Sequence, residues 1–254
     1  MTELGYALSS EEHLPNDLVR NARAAEEAGF TFALISDHFH PWVDSQGQSP
    51  FVWSVIGGIA QATERLRLGT GVTCPTIRTH PGIIAHAAAT CGAMMPGRLP
   101  EEPVPIAVAA SKPHAAELAG QLGDALITVA PDEEILQRYT QAGGTGPKYG
   151  QVTVCWAESE EQARKTAFEV WPNAGIKGDL SQELALPRHF EQAAQMVTED
   201  DVAEKVVCGP DPERHLEQIR QYAEAGVDHV YIHQVGSDQE GFFRFYEREI
   251  LPKI

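Results

Sequence analysis

The order of the apolar segments limits what this chain can fold into more than any other feature. Short runs suited to strands alternate with longer stretches whose apolar residues recur at helical spacing. No two strand-like runs meet across a hairpin turn. Leu4–Leu8, Thr31–His38, Arg65–Thr73, Pro105–Ala110, Ala125–Ala130, Gly150–Trp156 and Asp228–Val235 read as strands. Between them 16–29, 51–63, 81–95, 113–122, 132–141, 159–170 and 212–225 read as helices, and 239–251 as a closing helix. Leu18, Ala22, Ala25 and Ala28 lie at helical spacing before Gly29, Pro81 suits a first turn, and Ser159 with Gln162 predicts a capping box. Residues 173–205 read as irregular structure with short helices.

Seven strand–helix units without hairpins require a parallel sheet covered by helices. Right-handed crossovers allow a closed barrel or an open doubly wound sheet. Neither a Gly-x-Gly-x-x-Gly fingerprint nor a P-loop follows any strand, so the expected fold is α/β, a TIM-barrel-like (β/α) barrel. Its site then belongs in the loops after the strands. No linker divides the chain, so one domain over 1–254 is expected.

Charge narrows the partners. The chain carries 36 acidic and 19 basic side chains, net −17, and 27 of the acids lie after residue 99. A phosphate backbone or an anionic membrane needs clustered Lys and Arg, so nucleic acid and membrane are not expected partners. No apolar run reaches the roughly 18 residues that span a bilayer. Thr2-Glu3-Leu4 shows no leader pattern, so a cytoplasmic location is expected. Cys74, Cys91, Cys155 and Cys208 form no C-x-x-C pair and are expected as reduced, buried thiols, with no metal site.

Four strand ends carry residues capable of chemistry. Ser36-Asp37-His38-Phe39-His40-Pro41-Trp42 combines histidines that titrate near neutrality, a carboxylate able to orient an imidazole, and an indole able to wall a pocket. Leu68-Gly69-Thr70-Gly71-Val72-Thr73-Cys74-Pro75 offers glycines that let backbone approach a flat ligand, or form a bulge. Ala109-Ala110-Ser111-Lys112-Pro113 describes a phosphate cradle at a helix start, and equally a turn capped by Ser111. In the last strand His229, Tyr231 and His233 alternate with Val230, Ile232 and Gln234. His233 and Gln234 near the strand's end are expected at the pocket, and His229 in a structural place. No G-x-S-x-G elbow or H-E-x-x-H helix occurs.

Together these stretches, with Gly209-Pro-Asp-Pro-Glu213, resemble the luciferase-like oxidoreductases of the bacterial luciferase fold. They are most similar to the branch that uses the deazaflavin coenzyme F420, the group of F420-dependent glucose-6-phosphate dehydrogenase. The resemblance spans nearly the whole chain. It implies His38 and Trp42 as catalytic residues. It implies Asp37, Gly71, Val72, Ala109, Ala110 and Ser111 around the cofactor; Thr70 and Lys112 are expected beside them, and His40, Cys74 and Gln234 at the substrate pocket. Gly71–Val72 would be a cis peptide bond. The implied reaction is hydride transfer between a deazaflavin and a small alcohol, aldehyde or activated alkene, in a homodimer paired through the second and third helices, whose Ala-rich face is 84–95. An FMN-dependent monooxygenase and a non-catalytic flavin- or deazaflavin-binding protein are the alternatives.

The sequence departs from that pattern in three places. Gly97-Arg98 runs directly into Leu99-Pro100, where the resemblance implies a further strand, its helix and a Gly-x-Gly-Glu run bearing a proton-donating glutamate. One βα unit is therefore expected to be missing between 98 and 99, leaving two unpaired strand edges. Lys112 stands where glycine is usual. Uncharged residues at Val129–Pro131 and Gln192, with Lys205 as the one cation, argue against a sugar phosphate as substrate.

Overall fold

The computed structural model describes residues 2–75, 78–98, 104–178 and 180–254. Its strands are β1 (Glu3–Leu8), β2 (Phe32–Ile35), β3 (Arg67–Thr70), β4 (Ala107–Ala109), β5 (Ala125–Thr128), β6 (Lys148–Cys155), β7 (Val207–Cys208) and β8 (His229–Gln234). The principal helices are α1 (Pro15–Ala28), α2 (Val52–Ala62), α3 (Pro81–Met94), α4 (Pro113–Leu122), α5 (Glu133–Gln141), α6 (Glu160–Val170), α7 (Leu180–Glu183), α8 (Pro187–Ala194), α9 (Glu199–Ala203), α10 (Pro212–Ala225) and α11 (Gln239–Phe245).

All strand pairs are parallel, in the order β3-β2-β1-β8-β6-β5-β4, with the two-residue β7 beside β6. The first and last strands are neighbours, with Glu3 opposite His229. Among the described residues β3 and β4 end the path without pairing each other. The sheet is thus a curled, open barrel whose break lies where the sequence predicts one. The junction itself, around residues 99–103, lies outside the described residues.

Local chemistry sets the elements. Pro15 starts α1, Leu18, Ala22 and Ala25 form its buried stripe, and Gly29 ends it at φ 106°, donating to Ala25 and Glu26 carbonyls. Asp132 caps α5 through the Glu134 and Ile135 amides. Ser159 caps α6 by accepting from the Gln162 amide, so half of the expected box forms. The cap position of α4 is Lys112 rather than Ser111. The strand expected to run to His38 stops at Ile35, because Ser36 turns its hydroxyl and carbonyl to Ser10. The strand expected to reach Thr73 stops at Thr70, before a cis Gly71–Val72 peptide. The closing helix continues past Phe245 as a wider turn over Tyr246–Ile250. The β7 strand was not expected; two residues carry no periodicity.

Alternation sorts the side chains into two layers. On the helix side, Leu4, Tyr6, Leu8, Ala33, Ile35, Val152, Val154, Val230 and Ile232 pack under the helices. On the concave side, Ala7, Phe32, Ile127 and Tyr231 form a smaller apolar floor, joined by Leu34, Val72, Ala107 and Tyr149. Gly5 belongs there because a Cβ would meet the Phe32 ring at 2.4 Å. His229 takes its expected structural place, 3.0 Å from Glu3 and stacked on Tyr149. Among the described residues no helix is long and apolar enough to cross a membrane.

Candidate active site

The loops that leave β1, β2 and β3 converge at the rim of the sheet. Ser10 starts the assembly: its amide donates to Ser36 Oγ at 2.9 Å and its hydroxyl to the Ser36 carbonyl at 2.6 Å. Ser36 in turn donates to Glu11 Oε2. Glu11 Oε1 faces His38 Nε2 at 3.4 Å, with the Glu11 side chain 3% exposed and that of His38 27%. A carboxylate sealed at the base of a half-exposed imidazole fixes the ring and favours a proton on Nε2, leaving Nδ1 as the basic nitrogen. Burial lowers the His38 pKa below the ordinary histidine value; Glu11 opposes that, and the Arg78 charge adds to it.

Asp37 points to the other side. Thr73 Oγ1 donates to its Oδ2 at 2.9 Å, and Arg78 Nη2 donates to its Oδ1 and, at 3.0 Å, to its backbone carbonyl. The Trp42 ring stands edge-on to His38 at 4.6 Å and packs against Phe190 of α8 at 5.0 Å. Gln46 holds this wall, accepting from the Trp42 amide and donating to Asn173.

Asp37, His38 and Trp42 are therefore brought together; Thr70 ends β3 and Gly71 and Val72 follow it, all half-buried, with Val72 on the apolar floor. His40 is exposed, its Nδ1 at 3.0 Å from the Pro41 carbonyl. Cys74 is exposed, which corrects the expectation of four buried thiols; Cys91, Cys155 and Cys208 are buried. A strand end that leaves the sheet for a loop takes its side chains into solvent. Ala109, Ser111 and Lys112 are exposed at the end of β4, the opposite edge of the sheet, while Ala110 turns into the helix-side core. Gln234 also belongs to the helix side of its strand. It is 1% exposed and holds the Trp156 backbone and the Val235 carbonyl. Its neighbour His233 pairs with Glu12 at 2.8 Å, both side chains 3% exposed, and Trp171 packs edge-on at 4.5 Å. Lys205 lines an open surface cleft with Glu213, Arg214, Glu217 and Arg220.

Sequence reasoning missed Glu11, Arg78 and Phe190. Glu11-Glu12-His13 reads as a solvated loop, and no local signal marks Glu11 for burial. Phe190 lies with Ala193 on the buried stripe of α8, inside a stretch read only as irregular structure with short helices.

A family model described as luciferase-like monooxygenase matches residues 1–100 and 99–229, its two segments meeting at the junction before β4. The chain is 29% identical over 328 aligned positions to an F420-dependent glucose-6-phosphate dehydrogenase of Beutenbergia cavernae, covering all of this chain and 98% of the relative. It is 28% identical over 326 to the protein of that name from Microbacterium testaceum, covering 98% and 96%. With 254 residues here, the excess alignment length is relative sequence without a counterpart. An F420-dependent secondary alcohol dehydrogenase, solved with an F420-acetone adduct, superposes with a TM-score of 0.87 at 23% identity, covering 98% of both chains. The coenzyme F420-dependent tetrahydromethanopterin reductase of Methanopyrus kandleri gives 0.77 at 18%, covering 99% of both. These two structures establish the fold.

Proposed function

The chain belongs to the luciferase-like monooxygenase family, and from that membership we propose that it is an F420-dependent oxidoreductase acting on a small alcohol, aldehyde or activated alkene. The observation that carries this reading is His38, backed by the sealed Glu11 carboxylate and walled by Trp42, at the strand-end rim where such barrels place their chemistry. The names of the curated relatives support the choice of cofactor.

The concave face fits a flat ring. Ala7, Phe32, Ile127 and Tyr231, with Leu34, Val72 and Ala107, make an apolar floor. Thr70, Gly71, Val72 and Asp37 would hold the ring, and Ala109 to Lys112, at the start of the ten-residue helix α4, would hold its phosphate. Coenzyme F420, when bound, supplies two-electron hydride chemistry. The chain's own part is proton transfer and exclusion of water. His38 Nδ1 takes the hydroxyl proton as an alcohol is oxidised and returns it in the reverse direction, while Glu11 steadies the imidazolium. Trp42 and Phe190 shield one side of that exchange.

Titration by F420 fluorescence quenching and by FMN, followed by turnover of short alcohols, tests the reading. Quenching at micromolar F420 with alcohol-dependent turnover is expected. Tight FMN binding with no response to F420 overturns it in favour of the flavin monooxygenase, and F420 binding without turnover in favour of a non-catalytic binder.

We also propose a homodimer paired through α2 and α3. The α3 sequence is apolar almost throughout, yet Cys91 is its one buried residue, and Ile83 and Met94 face outward. Light scattering that shows a monomer at micromolar concentration overturns the dimer.

A further inference from the structure

Resting on the reading of His38 as the proton-transfer group, we propose that Arg78 is the positioning residue of the site. It locks the Asp37–His38 segment against the rim and supplies a positive charge set against two carboxylates there.

Its bonding is unlike that of the other ion pairs. Most of those join exposed side chains on the outer helices, such as Arg23 with Glu27 and Arg244 with Glu240. The Arg78 side chain is 27% exposed and that of its partner Asp37 7%. One guanidinium nitrogen holds both the carboxylate and the backbone carbonyl of Asp37, so side chain and main chain of the residue before His38 are fixed together. Thr73 closes the other carboxylate oxygen. Asp37, on the loop after β2, is thus clamped by two residues of the loop after β3, and the imidazole that follows it faces Glu11.

The groups facing His38 come from three loops. Glu11 lies on the loop after β1, Asp37 and His40 on its own loop, and Arg78 on the loop after β3. Without Arg78 the carboxylates of Glu11 and Asp37 lose the guanidinium set against them, and the balance at His38 moves toward the imidazolium. A base that is already protonated cannot accept the substrate's proton. Arg78 therefore keeps His38 in its working form by charge and by geometry, without touching the reacting atoms.

NMR titration of the histidine ring protons in the cofactor-free protein gives a readout independent of turnover, with His38→Asn supplying the assignment. In Arg78→Gln the His38 midpoint is expected to rise by roughly half a pH unit, and Arg78→Lys to recover most of that rise. Thr73→Val, which removes a bond to Asp37 but no charge, is expected to leave the midpoint in place. In turnover, Arg78→Gln is expected to lower kcat and move its acid limb upward with substrate KM unchanged. An unmoved midpoint in a folded Arg78→Gln protein overturns the proposal. So does a rise in KM or in the F420 dissociation constant with the pH profile intact, since either makes Arg78 a direct ligand contact. If the wild type turns over nothing with F420, the functional reading fails while the midpoints still decide the role of Arg78.

Discussion

Along the β8–β1 seam, Tyr6, Phe30, Phe242, Phe243 and Tyr246 fill the space between sheet and helices with ring centroids as close as 4.3 Å, whereas among the described residues β3 and β4 each end the sheet without a further neighbouring strand. The seam is tied further by Tyr6, which donates to Gln239 at 2.6 Å, and by the Glu12–His233 pair. On the open side α3 buries one residue, and Ile106 and Leu122 are 66% and 77% exposed. The candidate base hangs from the sealed side: Glu11 and Glu12 are consecutive, one holding His38 and the other holding the last strand. The contrast shows that a parallel sheet open at one side can keep intact the opposite wall, the one to which the candidate base is anchored.

The sharpest test of that division is His38→Asn. It is expected to slow hydride transfer by about 100- to 10,000-fold in stopped-flow F420 absorbance, with F420 affinity unchanged. A loss confined to affinity would break the link between the sealed wall and the chemistry. Next in size is Phe242→Ala, which empties a fully buried position between Phe30 and Tyr246 and is expected to cost about 3–5 kcal/mol in urea unfolding. A cost below about 1 kcal/mol would mean that the seam does not hold the fold.

The pH dependence of stability probes the same seam. Burial alone would raise the Glu12 pKa, but the bond and charge of His233, with His13 and the Gly236 amide, hold it below the ordinary value of 4.5. A depressed carboxylate adds stability that is complete above its unfolded value and is lost as pH falls through its folded value. The melting temperature is therefore expected to drop below about pH 4.5, and Glu12→Gln to flatten that limb. Equal slopes in the two proteins would remove Glu12 from the account. Smallest of all, Leu122→Ala on the exposed face of α4 is expected to change stability by under about 0.5 kcal/mol. A larger cost would show that the open side is packed against something in solution.

Periodicity made most of the sheet and its helices legible, since 2.0 and 3.6 are properties of the residue order itself. It overran at Ser36–His38 and at Gly71–Thr73, where side-chain bonds and a cis peptide remove the chain from the ladder. Asp37, His38 and Trp42 were legible because the motif is local and lies at a strand end. Glu11, Arg78 and Phe190 were not, because each gains its place from a different loop or helix, and only closure of the sheet reveals that an acid in an ordinary acidic run is sealed. Gln234 shows the converse. Its position in the chain implied the pocket, but strand alternation turns it toward Trp156.

The pairing of β1 with β8 also governs when the molecule can form. Glu3 finds His229, and Tyr6 finds Gln239, across more than two hundred residues. Closing so long a loop is entropically costly and delays the contacts that reward it. Glu12, beside Glu11 at the rim, meets His233 only after the distant strand has docked. Refolding is therefore expected to show helix content well before β1 and β8 pair, and β1 spends that interval with one edge uncovered beyond its pairing with β2.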